Sequence, residues 1–202
     1  MKSYLSIDCA TVVDREIRGE SSLYTVVYAP DIGLLRTMKR LSAKRTSPLP
    51  DLFDDIALDC EAASPTALQF AKDFSLKKRR TEIASSYEAF EHAALIAQTV
   101  LKNGGHIENS AQLSQRLRMS LDAIAGGSPA EIVRLKFMYL LARDEGYAVK
   151  EDFVRRLGQS NAELFGILIK NPSSELREFK SRSVDMLEKL CAWIYSSTDI
   201  AE

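Results

Sequence analysis

SLYTVVYAPDIGLLRTMKRL, residues Ser22 to Leu41, is the stretch on which the fold of the first half of the chain turns. Ser22 to Tyr28 is rich in β-branched and aromatic residues, Pro30, Asp31 and Gly33 supply a tight turn, and Leu34 to Leu41 resumes an extended pattern. Upstream, Val12, Val13 and Ile17 lead into a turn at Gly19, so the first three strands read as a meander. Downstream, beyond a loop with Pro48 and Pro50, Ile56, Leu58 and Cys60 alternate with Asp55, Asp59 and Glu61. After a further turn at Ser64 and Pro65, Leu68, Phe70, Phe74 and Leu76 share a parity. Five short strands in this span suit a small closed barrel, because closure removes edges that so small a sheet cannot otherwise protect.

From Thr81 the apolar period becomes helical. Ile83, Tyr87, Phe90, Ala94, Ala97 and Leu101 draw one stripe, ended by Asn103, Gly104 and Gly105. Leu113, Leu117, Leu121 and Ile124 draw the next, stopped by Gly126 and Gly127. Ser128, Pro129 and Glu131 then stand as N-cap, first-turn proline and capping-box acid before Val133, Phe137, Leu140 and Leu141. Ser160 and Glu163 repeat the box ahead of a short apolar helix, and Pro172 opens a long final one.

Charge is segregated within a nearly neutral whole. The 202 residues carry a formal net charge of −1 and are 46% hydrophobic and 27% charged, an ordinary composition for a soluble globular protein. Yet Arg36, Lys39, Arg40, Lys44 and Arg45 crowd into ten residues, and no Asp or Glu occurs from Ile32 to Pro50. A second acid-free run, Lys77, Lys78, Arg79 and Arg80, joins the strand half to the helical half. Such clusters are either the footprint of a polyanion site, since screening makes the local field decisive, or a solvated strand and loop. On the third strand Arg36 and Arg40 share a parity, Lys39 faces the other way, and Lys44 and Arg45 extend into the loop. Tyr24 and Tyr28 share a parity on the neighbouring strand, as stacking platforms for bases or as core residues.

Catalytic signatures are missing from the sequence. His92 lies off the apolar stripe of its helix and His106 follows a Gly-Gly turn; no HExxH, GxSxG, P-loop or GxGxxG occurs. Asp54 and Asp55, adjacent on a strand, point to opposite faces and read as a solvated pair rather than as metal ligands. Cys9, Cys60 and Cys191 are odd in number and far apart, which signals neither a disulfide framework nor a local zinc site. The expectation is a non-enzymatic binding protein without metal or cofactor. With no signal-peptide pattern and no apolar run long enough to cross a bilayer, it is expected in the cytoplasm.

The order of pieces resembles the bacterial DNA repair protein RecO family. The likeness is best over Ser22 to Leu58, with its strand, glycine turn, strand, basic loop and following apolar strand, and recurs in KFMYLLARDEGY, Lys136 to Tyr147. The family's basic loop usually has a glycine where Arg40 and Leu41 stand, and the four-cysteine zinc insert of many members has no counterpart here. The expected fold class is therefore α+β: an N-terminal five-stranded OB-fold barrel over residues 1–80, then an all-helical domain over 81–202. The resemblance implies a recombination mediator that binds single- and double-stranded DNA, anneals complementary strands and helps load recombinase. Its partners would be RecR and the acidic C-terminal tail of single-stranded-DNA-binding protein, in a nucleoid-associated setting. The DNA contacts would be Arg36, Lys39, Arg40, Lys44, Arg45, the run Lys77, Lys78, Arg79 and Arg80, and Tyr24 and Tyr28. The tail would meet Arg134, Lys136 and Phe137, with helix core as the other reading of Phe137. The alternative to the whole is a protein-interaction adaptor whose helical half docks a partner and which has no DNA affinity.

Overall fold

The computed structural model describes residues 3–19, 21–41, 48–62 and 68–201; Lys44, Arg45 and the turn at Ser64 and Pro65 lie outside them. The architecture is α+β: strands β1 (Ser3–Arg18), β2 (Ser22–Ala29), β3 (Gly33–Arg40), β4 (Asp55–Ala62) and β5 (Gln69–Lys78) precede the helices. Strand order is β1-β2-β3-β5-β4, and the long β1 pairs with β2 along its second half and with β4 along its first, so the sheet closes on itself. Among the described residues the β3–β5 pairing is parallel and the other neighbours run antiparallel. The β1–β2 and β2–β3 turns carry Gly19 at φ 61° and Gly33 at φ 77°, the left-handed conformation that glycine adopts without a Cβ penalty. Inside the sheet Ile7, Val12, Val27, Leu35, Ile56, Leu58 and Cys60 form one apolar cluster.

The fifth strand departs from the sequence reading. Leu68, Phe70, Phe74 and Leu76 do not line one face: Gln69 and Ala71 are buried, Phe70 is 53% exposed, and only Phe74 packs against the core cluster. The cause is a register shift between Asp59 and Cys60, which puts Cys60 opposite Ala71 but Asp59 opposite Asp73. One extra residue on β5 reverses its parity, as a bulge does.

Helices α1 (Tyr87–Asn103), α2 (Ser110–Ala125), α3 (Ala130–Asp144), α4 (Gln159–Lys170) and α5 (Lys180–Ser197) follow. The chain divides into two compact units: residues 1–80 with 100–118, and residues 81–99 with 119–202. The sequence boundary at residue 80 is thus one junction among three, since a helical segment groups with the strands. In that first unit Tyr28 is completely buried, and a Cβ on Gly104 would stand 2.6 Å from its ring, so residue 104 is small because the tyrosine lies there.

Helix α1 buries Ala93, Ile96, Ala97 and Val100 and leaves Tyr87 82% exposed, a face rotated from the predicted stripe. Helix α2 buries Leu113, Leu117, Leu121 and Ile124 as read. Helix α3 starts behind Pro129 with no side-chain cap; Ser128 does not cap it, and Glu131 is buried instead of closing a capping box. Likewise α4 has Gly158 at its N-cap, and two 3-10 turns separate Pro172 from the start of α5. In the second unit Tyr139, Phe165, Phe153 and Trp193 form a chain of ring contacts with centroids 5.5–5.8 Å apart. Cys9, Cys60 and Cys191 are not joined in a disulfide, and burial pushes the Cys60 thiol up to about 11. Among the described residues no helix is long and apolar enough to cross a membrane.

Candidate nucleic-acid interface

Closure of the sheet brings side chains from all five strands onto one outer row. By register Glu16 on β1 lies beside Tyr24 on β2, Tyr24 beside Met38 on β3, Met38 beside Phe70 on β5, Phe70 beside Glu61 on β4, and Glu61 beside Tyr4, back on β1. Tyr4 is 70% exposed, and Tyr24 and Met38 are half-buried. The row therefore offers three aromatic faces to solvent, at sites where burial in the core has been refused by strand parity.

Cations interleave with these rings. The Arg18 guanidinium stands 4.4 Å from the centroid of Tyr24 and is held there by Glu16 at 2.7 Å. The Lys72 ammonium stands 4.3 Å from the centroid of Tyr4 and 3.5 Å from Glu61. Arg36 and Arg40 flank Met38 on β3, opposite Val26 and Ser22. Both are exposed, and neither makes an ion pair or side-chain hydrogen bond to the described residues. An arginine on a strand, with its fork unspent, beside exposed rings, is suited to a phosphate with a stacked base next to it.

Several residues singled out in the sequence are placed otherwise. Lys39 points away from Arg36 and Arg40 and is paired: its ammonium donates to Asp73 Oδ1 and to the Lys72 carbonyl, each at 2.8 Å, above the Phe74 ring. That hydrogen bond holds the Asp73 carboxyl below its usual range. Tyr28 is core, not a stacking platform. Of the junction run, Lys77 and Lys78 are exposed at the end of β5, whereas Arg79 and Arg80 serve the fold. Arg79 binds Asp54 Oδ2 at 2.9 Å and the Leu49 carbonyl at 2.9 Å. Arg80, 3% exposed, grips both oxygens of Asp55 at 3.1 and 2.8 Å and donates to the Phe53 carbonyl.

Asp54 and Asp55 are accordingly not a solvated pair. Both are buried, at 1% and 0% exposure, and each has its own arginine. Asp55 accepts in addition from Thr11 Oγ1 at 2.7 Å and Arg118 Nε at 3.2 Å. The acids that follow the basic loop in sequence thus pair with the arginines of the junction, and among the described residues none pairs with Arg36 or Arg40.

The helical candidates also separate. Phe137 is 1% exposed and belongs to the core of α3, so it offers no surface to a peptide tail. Lys136 donates to the Asn171 carbonyl, and burial lowers its ammonium from the ordinary range. Arg134 is half-buried and lines a cleft of about 650 Å³ with His92, Glu131, Leu187 and Cys191. Sequence reasoning missed Tyr4, Arg18, Phe70 and Lys72. The signal for Tyr4 was an aromatic beside alternating polar positions on β1; nothing local marks Phe70, whose exposure depends on the bulge. Compared with protein-family models and with curated proteins, the chain matches none.

Proposed function

We propose that the closed N-terminal sheet is an OB-type barrel whose outer β2-β3-β5 face binds single-stranded nucleic acid, and that the protein is a RecO-like DNA-binding and annealing factor rather than an enzyme. The observation that carries the binding reading is the pair Arg36 and Arg40, exposed and without an ion-pair partner among the described residues, on the strand between Tyr24 and Phe70. Strand order and the shared, bulged β1 agree with a barrel of this type, in which the face of strands two and three meets oligonucleotides. The preference for DNA, the annealing activity and the partners RecR and single-stranded-DNA-binding protein rest on the resemblance over Ser22 to Leu58. With Phe137 in the core, a peptide tail would have to be met elsewhere on the helical unit.

Fluorescence anisotropy of a labelled single strand, titrated across salt, tests the binding reading. Four cations in the row, Arg18, Arg36, Arg40 and Lys72, set an expected slope of log affinity on log salt near −3, at roughly −0.7 per phosphate contact. The double variant Arg36→Ala/Arg40→Ala is expected to flatten that slope by about 1.4. Tyr24→Ala and Phe70→Ala are expected to weaken binding by about 1–3 kcal/mol each with the slope retained. Unchanged binding by the folded double variant, or no binding by the native chain at low salt, overturns the assignment and favours the adaptor. Competition between matched DNA and RNA strands decides the sugar.

A further inference from the structure

Apart from the nucleic-acid face, the second unit contains three metal-ligating side chains drawn together from two helices. Glu88 and His92 are spaced i, i+4 on α1, which places them on one side of the helix, and Glu131 comes from the first turn of α3. One ligand atom from each, a carboxylate oxygen or an imidazole nitrogen, lies within 4.8 Å of the others. We propose that Glu88, His92 and Glu131 form a site for a divalent transition ion of the zinc class.

The buried partner, Glu131, makes this more than a cluster of acids. Its side chain is 1% exposed, yet both carboxylate oxygens lack a hydrogen-bond donor, and the buried Nδ1 of His92 lacks a partner as well. Two carboxylates brought together, the buried one without a donor, need a cation or a shared proton between them. Lys180 does not fill that role: it donates to Glu88 Oε2 at 2.7 Å and to neither oxygen of Glu131. Arg134, which lines the cleft beside His92 and Glu131, reaches Cys191 Sγ at 4.0 Å and donates to neither carboxylate.

Ligand chemistry selects the ion. One imidazole with two carboxylates suits zinc and its neighbours, whereas calcium and magnesium prefer all-oxygen shells. Bonds of about 2.1 Å set tetrahedral ligand separations near 3.4 Å, so ligand atoms within 4.8 Å of one another need to close by at most about 1.4 Å, within reach of side-chain rotation. The cleft beside His92 and Glu131 provides entry and leaves a fourth position open to water or an exogenous ligand.

Titration of the purified full chain with Co²⁺ as spectroscopic probe, and with Zn²⁺ by calorimetry, tests the site. One equivalent is expected, with visible d–d bands and no thiolate charge-transfer band, and both His92→Ala and Glu131→Gln are expected to weaken binding at least tenfold. Circular dichroism of each variant shows whether it is folded. Absent binding by the native chain, binding unchanged in both folded variants, or a thiolate band pointing to the cysteines overturns the proposal. In the first case the pair shares a proton, and Glu131→Gln raises Tm with or without Zn²⁺.

Discussion

Asp55 in the strand unit and Glu131 in the helical unit are both buried carboxylates in a protein of nearly zero net charge, yet their surroundings are opposites. Asp55 has donors on both oxygens, from Thr11, Arg80 and Arg118. Glu131 has none, and burial pushes its carboxyl up. A buried charge costs several kcal/mol unless paired and hydrogen-bonded. The first carboxylate therefore explains itself as structure, a clasp that ties β1, β4 and the segment after β5 to one another. The second is explained only by a proton or by something it is built to hold. Phe53 belongs with the clasp: at φ 69° it is a non-glycine residue in left-handed conformation, held by its amide on the Val12 carbonyl and by Arg80 on its own carbonyl.

The largest expected effect comes from breaking the compensated side. Asp55→Ala leaves Arg80 buried without its carboxylate and is expected to cost about 3–5 kcal/mol in urea unfolding. The double replacement Asp55→Leu/Arg80→Met is expected to recover most of that loss, since removing both charges removes both desolvation costs. A double variant as unstable as the single one would show that geometry, not charge balance, dominates the clasp. Arg118→Ala, which removes a half-exposed third donor, is expected to cost about 1 kcal/mol.

On the uncompensated side the sign reverses. In the presence of chelator, Glu131→Gln is expected to raise stability by about 1 kcal/mol, because it deletes a charge that has no donor. A loss of stability there would place Glu131 in the same class as Asp55. The smallest effect belongs to the surface pair Lys39 and Asp73. The Asp73 carboxyl is lowered by its hydrogen bond from Lys39, so it adds stability above the unfolded-state pKa and loses it as pH falls through the lower folded value. Because the carboxylate is 77% exposed, Asp73→Asn is expected to cost less than about 1 kcal/mol at neutral pH, and nothing in acid below the folded pKa.

Much of the strand unit was legible because its signals are local. The turns at Gly19 and Gly33 need left-handed backbone and announce it, and Ser22 to Ala29 favours extension whatever its neighbours. Arg36 and Arg40 were readable as a same-face pair from parity alone, and both are exposed and unpaired among the described residues. The other basic residues were not separable by type. Arg79 and Arg80 have the same chemistry as Arg36 and Arg40, but Asp54 and Asp55 stand within reach of the first two only after β4 and β5 have paired.

Sequence by itself determined the period change near Thr81, the helix stops at the glycine pairs and the acid-free charge of β3, because each depends on residues a few positions apart. Tertiary structure decided the rest. The β4–β5 bulge turned Phe70 outward, the approach of Gly104 covered Tyr28, and the folding of the second unit gathered Glu88, His92 and Glu131. These outcomes rest on pairings between segments far apart in the chain, where a one-residue shift in register exchanges the buried and exposed faces and no local pattern records the choice.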